Sequence, residues 1–378
     1  ITGRMNKWDV GFLDMQTAEH EDTPGENFGV IRMRRQVINQ NSYVGGIMTS
    51  RLAMNGYTNV AYGVDGIFRL FGDDYLNAKW SQTYDSEIGN TLNSLDPSFM
   101  FVSWERRSEE GFAYSMQYSY TGKEFNPGVG FVKMQSIQTV NGELLYGWIP
   151  KENSKLFSYN FKLKGRRYTR LEDGGLENMK LSPEFEFNTK RGIHGMISID
   201  LEKEGVLNDF KLSDSIPIAA GDYTFFGFDG EVGTPDSRIV SANVSIYAGQ
   251  FYDGKRIGLE AEANFNLSSS VKLTAKYVYE ALRFPDSETD NSLDIHSVNL
   301  KALYMINTKL SAALMAQYVN TEDELITNLR FRYNPREGND FYLVYNDCRG
   351  IANANITHDS PKYFNKTIMV KYVHTFIL

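Results

Sequence analysis

Apolar and polar positions alternate with a period of two along most of this chain. Between Arg256 and Leu267, Ile257, Leu259, Ala261, Ala263, Phe265 and Leu267 fall on one parity, and Gly258, Glu260, Glu262, Asn264 and Asn266 fall on the other. After Ser268-Ser269-Ser270 the pattern resumes, with Val271, Leu273, Ala275, Tyr277 and Tyr279 set against Lys272, Thr274 and Lys276. Successive side chains of a β-strand point to opposite faces, so each segment predicts a strand with one apolar and one polar face. Each is also about ten residues long, the length with which a tilted strand crosses a bilayer. The expectation is an all-β fold, a transmembrane antiparallel up-and-down β-barrel of the bacterial outer-membrane type.

Similar segments recur at 6–17, 28–37, 43–54, 60–71, 75–86, 98–107, 112–121, 128–138, 143–149, 155–168, 177–187, 193–204, 222–229, 238–252, 256–267, 271–284, 293–306, 309–319, 325–334, 340–348 and 364–378. Barrels of this kind close with an even number of strands, so at least one of these odd-numbered candidates does not span; about 18 to 20 strands are expected. The weakest are 143–149, inside the irregular stretch from Gln138 to Pro150, and 222–229, which is short and Gly-rich. Asn55-Gly56, Ser268 to Ser270 and Ile306-Asn307-Thr308 suit tight periplasmic hairpins, whereas Ala18 to Asn27, Glu87 to Asp96, Glu204 to Gly221, Phe284 to Ser292 and Gly350 to Phe364 read as outward loops. No composition shift divides the chain, so 1–378 reads as a single barrel domain. It opens Ile1-Thr2-Gly3 without a Met or an apolar leader, and any signal peptide or preceding domain is expected upstream.

The polar parity supplies the lumen. Arg32 and Arg34 share a face with Gln36, Asn160 with Lys162, Lys164 and Arg166, and Asn328 with Arg330, Arg332 and Asn334. Acids occupy matching rows at Glu184 and Glu186, Asp200 and Glu202, and Glu260 and Glu262. An Arg or Lys on the lipid side at the bilayer midplane costs about 2–4 kcal/mol, so these rows point inward. They read either as a charged constriction that selects solutes or as a ladder of interior salt bridges that props and plugs the barrel; the ladder is the commoner outcome for such rows.

Composition adds limits. Mean hydropathy is −0.40 and charged residues make up 23%, values of an ordinary soluble protein, because half of each strand would face water. The 23 Tyr and 24 Phe are the departure, and amphipathic rings collect at membrane interfaces. No apolar run reaches the length of a helical span, and a net charge of −8 argues against a nucleic-acid partner. His20, His194, His296, His358 and His374 stand apart at no metal-ligand spacing and Cys348 is single, so neither a metal nor another cofactor is expected. Gly72-Asp73-Asp74 reads as a turn rather than a calcium loop. No nucleophile elbow occurs, and a hydrolase mounted on the rim would have to draw on His194 with Ser198 or His296 with Ser297; no enzyme is expected. Asp214-Ser215-Ile216 resembles an O-glycosylation acceptor, although a plain solvated loop is the commoner meaning of such a triplet.

The last strand sets Ile368, Val370, Tyr372, Phe376 and Leu378 against Thr367, Lys371 and Thr375. It resembles the C-terminal signal read by barrel-assembly machinery, except that it ends on Leu378 rather than an aromatic, and it places the C-terminus in the periplasm. The opening runs Ile1-Thr2-Gly3-Arg4, Val10-Gly11-Phe12-Leu13, Asn27 to Arg32 and Asn41 to Gly45, together with Leu329 to Tyr333 and Phe341 to Asp347 near the end, resemble a family of Bacteroidota outer-membrane barrels of unknown function. Members of that family commonly carry an upstream domain similar to carbohydrate-binding family nine, which implies glycan contact through residues that this sequence does not contain.

Two roles follow as expectations. One is a channel, transport or solute-binding barrel for a polar solute such as a carbohydrate, a reading weakened by the position of most Tyr and Phe on the apolar parity. The other is a closed accessory subunit docking outer-membrane or surface lipoprotein partners, with Leu144, Leu145, Trp148 and Ile149 as a candidate inward plug or contact. Either would contact outer-membrane lipid and lipopolysaccharide.

Overall fold

The computed structural model describes residues 1–91, 93–213, 216–285, 292–350 and 365–375. Its strands are β1 (Thr2–Met5), β2 (Trp8–Gln16), β3 (Glu26–Gln36), β4 (Tyr43–Ala53), β5 (Thr58–Phe71), β6 (Asp74–Asp85), β7 (Ser98–Arg106), β8 (Gly111–Thr121), β9 (Ile137–Trp148), β10 (Leu156–Arg170), β11 (Leu176–Thr189) and β12 (His194–Val206). A small hairpin of β13 (Phe210–Ser213) and β14 (Ile216–Ile218) intervenes before β15 (Gly221–Gly233), β16 (Val240–Phe251), β17 (Gly254–Asn266), β18 (Val271–Arg283), β19 (Ser292–Met305), β20 (Leu310–Val319), β21 (Glu324–Arg336), β22 (Asn339–Gly350) and β23 (Asn365–His374). Apart from that hairpin, all belong to one 21-stranded sheet. Each pairs antiparallel with its predecessor and its successor in that sheet, the up-and-down order expected. With the four-residue β1 set aside, an even set of long strands remains.

The ladder among the described residues ends at β23 on one side and at β1 with the upper part of β2 on the other. Strands β2 and β23 run antiparallel, the relation that closure of a ring requires. The triplet's Asp214 and Ser215, His358 and the terminal Phe376 and Leu378 lie outside the described residues, as does most of the loops expected at Phe284 to Ser292 and Gly350 to Phe364.

Four expectations are corrected. Residues 128–138 do not form a strand: Thr121 faces Ile137 directly across the β8–β9 ladder, and 122–136 is an irregular excursion between them. Pro127 cannot donate to a ladder and Gly130 has φ 155, so the chain leaves the sheet there. The stretch from Gln138 onward, expected to be an irregular plug, a partner contact or an odd strand, is regular strand to Trp148, paired along its length with β8 and β10. Adjacent Leu144 and Leu145 obscured its alternation.

The segment 222–229 is the middle of a 13-residue strand. Its glycines make room for an inward ring, since a Cβ at Gly227 would stand 2.9 Å from the Tyr247 hydroxyl oxygen. Finally, Asn55-Gly56 is a tight turn but joins β4 to β5 on the rim that carries the long loops 17–25, 86–97, 122–136 and 207–220. The opposite rim has the turns at 6–7, 72–73, 267–270, 306–309 and 337–338. Turn length does not assign a side; only the count of strands does.

Parity sorts the two faces. Ile31, Met33, Trp104, Phe112, Phe161, Ile197, Phe228 and Ile257 all stand exposed on the outward face. A continuous apolar surface of this extent is not tolerated in water and belongs against lipid. On the inward face of β3 the Arg32 guanidinium reaches past β4 to form a two-pronged pair with Asp65 on β5, one arm at 2.8 Å. It does so because the residue between them is Gly45, where a Cβ would lie 2.9 Å from that guanidinium. The folded chain is expected to migrate differently from boiled chain on a gel. Gly45→Leu is expected to preserve that band while lowering the unfolding free energy, read from denaturant titration, by about 1–3 kcal/mol, the usual cost of leaving a part-buried polar partner unmet.

Candidate functional site

The inward wall is built strand by strand from residues of one parity. On β10, Asn160, Lys162, Lys164, Arg166 and Tyr168 share the inner face and stand in register with Glu186, Glu184, Ser182, Lys180 and Asn178 of β11. Lys162 lies 2.6 Å from Glu186 and 3.6 Å from Glu184, and Lys164 holds Glu184 at 2.9 Å. Arg166 reaches over β11 to Glu202 at 3.6 Å. Elsewhere Arg34 meets Asp9 at 2.7 Å, Glu260 meets Lys276 at 2.6 Å, and Arg332 meets Asp340 at 2.7 Å. Glu262 accepts from Asn264 at 3.2 Å. Arg330 has no ion-pair partner among the described residues. The candidate charges therefore do not converge on one ring; most are spent on neighbours one or two strands away.

What the wall does bring together lies under the excursion 122–136. The side chains of Asn59 and Thr83, 1% and 0% exposed, face inward from β5 and β6 and hold it. Asn59 donates to the Asn126 carbonyl at 2.8 Å and accepts from the Gly128 amide at 2.7 Å, while the Thr83 hydroxyl oxygen accepts from the Asn126 amide at 3.2 Å. Asn59 also donates to Asp85 at 2.9 Å. The Phe125 ring stacks on Phe99 of β7 with centroids 5.7 Å apart. The segment thus folds back inside the wall.

A cavity of about 680 Å³ remains between this segment and β9 to β12, lined by Phe99, Phe125 and Phe131 on one side and Tyr168, Asn178 and Glu204 on the other. A second cavity of about 510 Å³ runs on along the same wall past Gln117, Asn141, Glu143, Lys164 and Lys180. Arg166 lines both. The upper chamber is part-aromatic and the lower one charged, and Arg166 is the lining residue they have in common.

Beside Glu204 the Tyr252 ring, in the turn after β16, packs against Tyr223 at 5.0 Å, Phe225 at 5.3 Å and Phe210 of the β13–β14 hairpin at 5.7 Å. Its hydroxyl donates to Glu204 at 3.1 Å. Burial, and then the Glu204 carboxylate, raise that hydroxyl above its ordinary value, so it remains a donor. These inward rings were largely missed from sequence. The signal was present for Tyr168, which sits on the parity of Arg166 and Lys164, and for Tyr223 and Phe225, on the parity of Asp229.

The two Ser and His combinations considered from sequence do not assemble. His194 and Ser198 are four residues apart on one strand, roughly 13 Å at strand rise. His296 faces outward, with Nδ1 2.8 Å from the Tyr277 hydroxyl, while Ser297 is on the opposite face. Among the described residues no group of three or more His, Cys, Asp or Glu side chains is arranged to hold a metal ion. Gly72 has φ 52 in the turn to β6, and Asp74 pairs with Arg106 at 2.9 Å rather than facing a loop.

No family model matches the chain, and no curated protein matches it in sequence. Among solved structures it is similar to a mutant of the ferric enterobactin receptor of Pseudomonas aeruginosa, with a TM-score of 0.59 at 6% identity over 97% of this chain and 72% of that one. The siderophore receptor PirA of Pseudomonas aeruginosa matches with a TM-score of 0.45 at 8% identity over 98% of this chain and 80% of that one. The ferric-catecholate import receptor Fiu of E. coli, in its open form, gives 0.42 at 10% identity over 99% and 81%. The first of these carries the likeness, and it is one of fold: the sheet is the wall of an outer-membrane β-barrel.

Asn59→Ala is expected to free 122–136 from the wall. Limited proteolysis should then cut within that segment, with the heat-modifiable band retained.

Proposed function

We propose that this chain sits in a bacterial outer membrane, with its short-turn rim and C-terminus on the periplasmic side, and that its lumen binds and passes a polar solute. One observation carries the reading. The two cavities follow one inner wall, β8 to β11, and share Arg166 in their linings, the arrangement expected of a route that runs past that side chain. A permeation path needs polar groups that bind a solute well enough to admit it and weakly enough to release it. Amides, hydroxyls and pre-paired charges supply that kind of lining. The likeness to a receptor in fold supports a solute-handling barrel.

A second reading has its own observation. The salt-bridged rows and the latched segment 122–136 are also what a closed accessory subunit would use to fill its interior. Conductance in planar lipid bilayers separates the two. The passage reading expects steady ohmic steps from the intact chain, and higher conductance from Arg166→Ala, which shortens the side chain at the junction without touching the apolar face. Silence from both the intact chain and the variant would rule out passage and leave the closed subunit.

A further inference from the structure

The upper chamber has a chemistry of its own. Its volume, about 680 Å³, falls in the range of roughly 300–1,000 Å³ typical of sites for small organic ligands. One side is apolar and flat: the stacked Phe99 and Phe125, and Phe131, which is 87% exposed on the inward segment. An uncovered phenylalanine at such a place is costly in water and ready to take an apolar partner. The polar groups around it are in part already satisfied and in part free. Glu177 is paired with Arg170 at 3.2 Å, and Arg166 is shared with Glu202. Lys133 has no partner among the described residues. Glu204 takes only the Tyr252 hydroxyl and has no described cation. The Tyr168 hydroxyl has no hydrogen-bond partner among the described residues, whereas the Asn178 side chain is spent on Glu202, to which it donates at 2.9 Å.

The chamber thus offers one free cation on the segment, one carboxylate without a cation on the far wall, neutral hydrogen-bonding groups between them, and aromatic faces. Resting on the reading of the lumen as the working face, we propose that this chamber is a binding site for a small zwitterion with an apolar ring, the chemistry of a short peptide bearing an aromatic side chain. The ligand's carboxylate meets Lys133, its ammonium meets Glu204, its amide meets the Tyr168 hydroxyl, and its ring lies on Phe131 and Phe125. Neutral hydroxylated solutes would satisfy the Tyr168 hydroxyl but leave both charges unmet. Pairing both free charges is what separates the zwitterion from them.

The test is calorimetric titration of the intact chain in detergent with phenylalanylalanine, its N-acetyl and C-amide forms, and maltotriose. The free dipeptide is expected to bind, and blocking either end to weaken it by about tenfold or more, the loss of one charge-assisted contact. Glu204→Gln should abolish the penalty of N-acetylation alone, and Lys133→Met that of amidation alone. These are changes in selectivity that a merely misfolded variant would not produce. Equal binding of free and blocked peptides, absence of dipeptide binding, or binding of maltotriose in its place would each overturn the site. Because binding is read without a bilayer, a silent chain that binds the dipeptide refutes passage and leaves the site standing. A conducting chain that ignores the dipeptide does the reverse.

Discussion

Inside a bilayer no water reaches the backbone, so every N–H and C=O that crosses must find its partner in the protein. That requirement governs this molecule. It makes every strand from β3 to β22 in the sheet pair with a neighbour on both sides, and it leaves the chain to spend its irregular segments at the rims or inside the wall. The excursion 122–136 obeys the same rule. Having left the ladder at Thr121, it recovers hydrogen bonds from Asn59 and Thr83, side chains that the inner wall supplies for backbone groups the sheet no longer serves.

Once the ladder is set, parity assigns every side chain to lipid or to lumen. Outward positions are apolar because a charge there is expensive. Inward positions are free to be charged, but the interior is narrow enough that most charges settle on one another. Arg32 crossing Gly45 to Asp65, and Arg166 crossing β11 to Glu202, illustrate how the pairing works: the residue one strand away has no side chain in the first case and, as Lys180, carries the same charge in the second. Charge in the wall is therefore mostly structural. The groups left free by that settlement, among them Lys133, Glu204, Arg330 and Tyr168, carry more information about ligands than the conspicuous rows do.

The sequence made the wall legible and the contents of the lumen much less so. Alternation put each candidate row on one face of its strand, as the register has it, because a period of two is a local property that a few residues reveal. It misplaced the segment from 128 to 138, since Phe131, Val132, Lys133 and Met134 resemble a strand until the anchor residues 43 to 69 positions earlier are known. It also set Tyr and Phe down mainly as lipid-facing. Tyr168 and Phe225 share a parity with charges, but Phe125 and Phe131 lie on no strand and their inward position is purely tertiary. The rim of Asn55-Gly56 was misread for a related reason: a turn's conformation is local, while its rim depends on counting strands.

Thiol labelling along β10 probes the assignment of faces most directly. With Cys348→Ser as background, single cysteines at Phe161, Lys162, Leu163, Lys164, Gly165 and Arg166 in the intact chain in lipid vesicles would be challenged with a charged, membrane-impermeant thiol reagent. The account predicts labelling at Lys162, Lys164 and Arg166 and protection at Phe161, Leu163 and Gly165. Uniform labelling, or labelling of the opposite set, would contradict it.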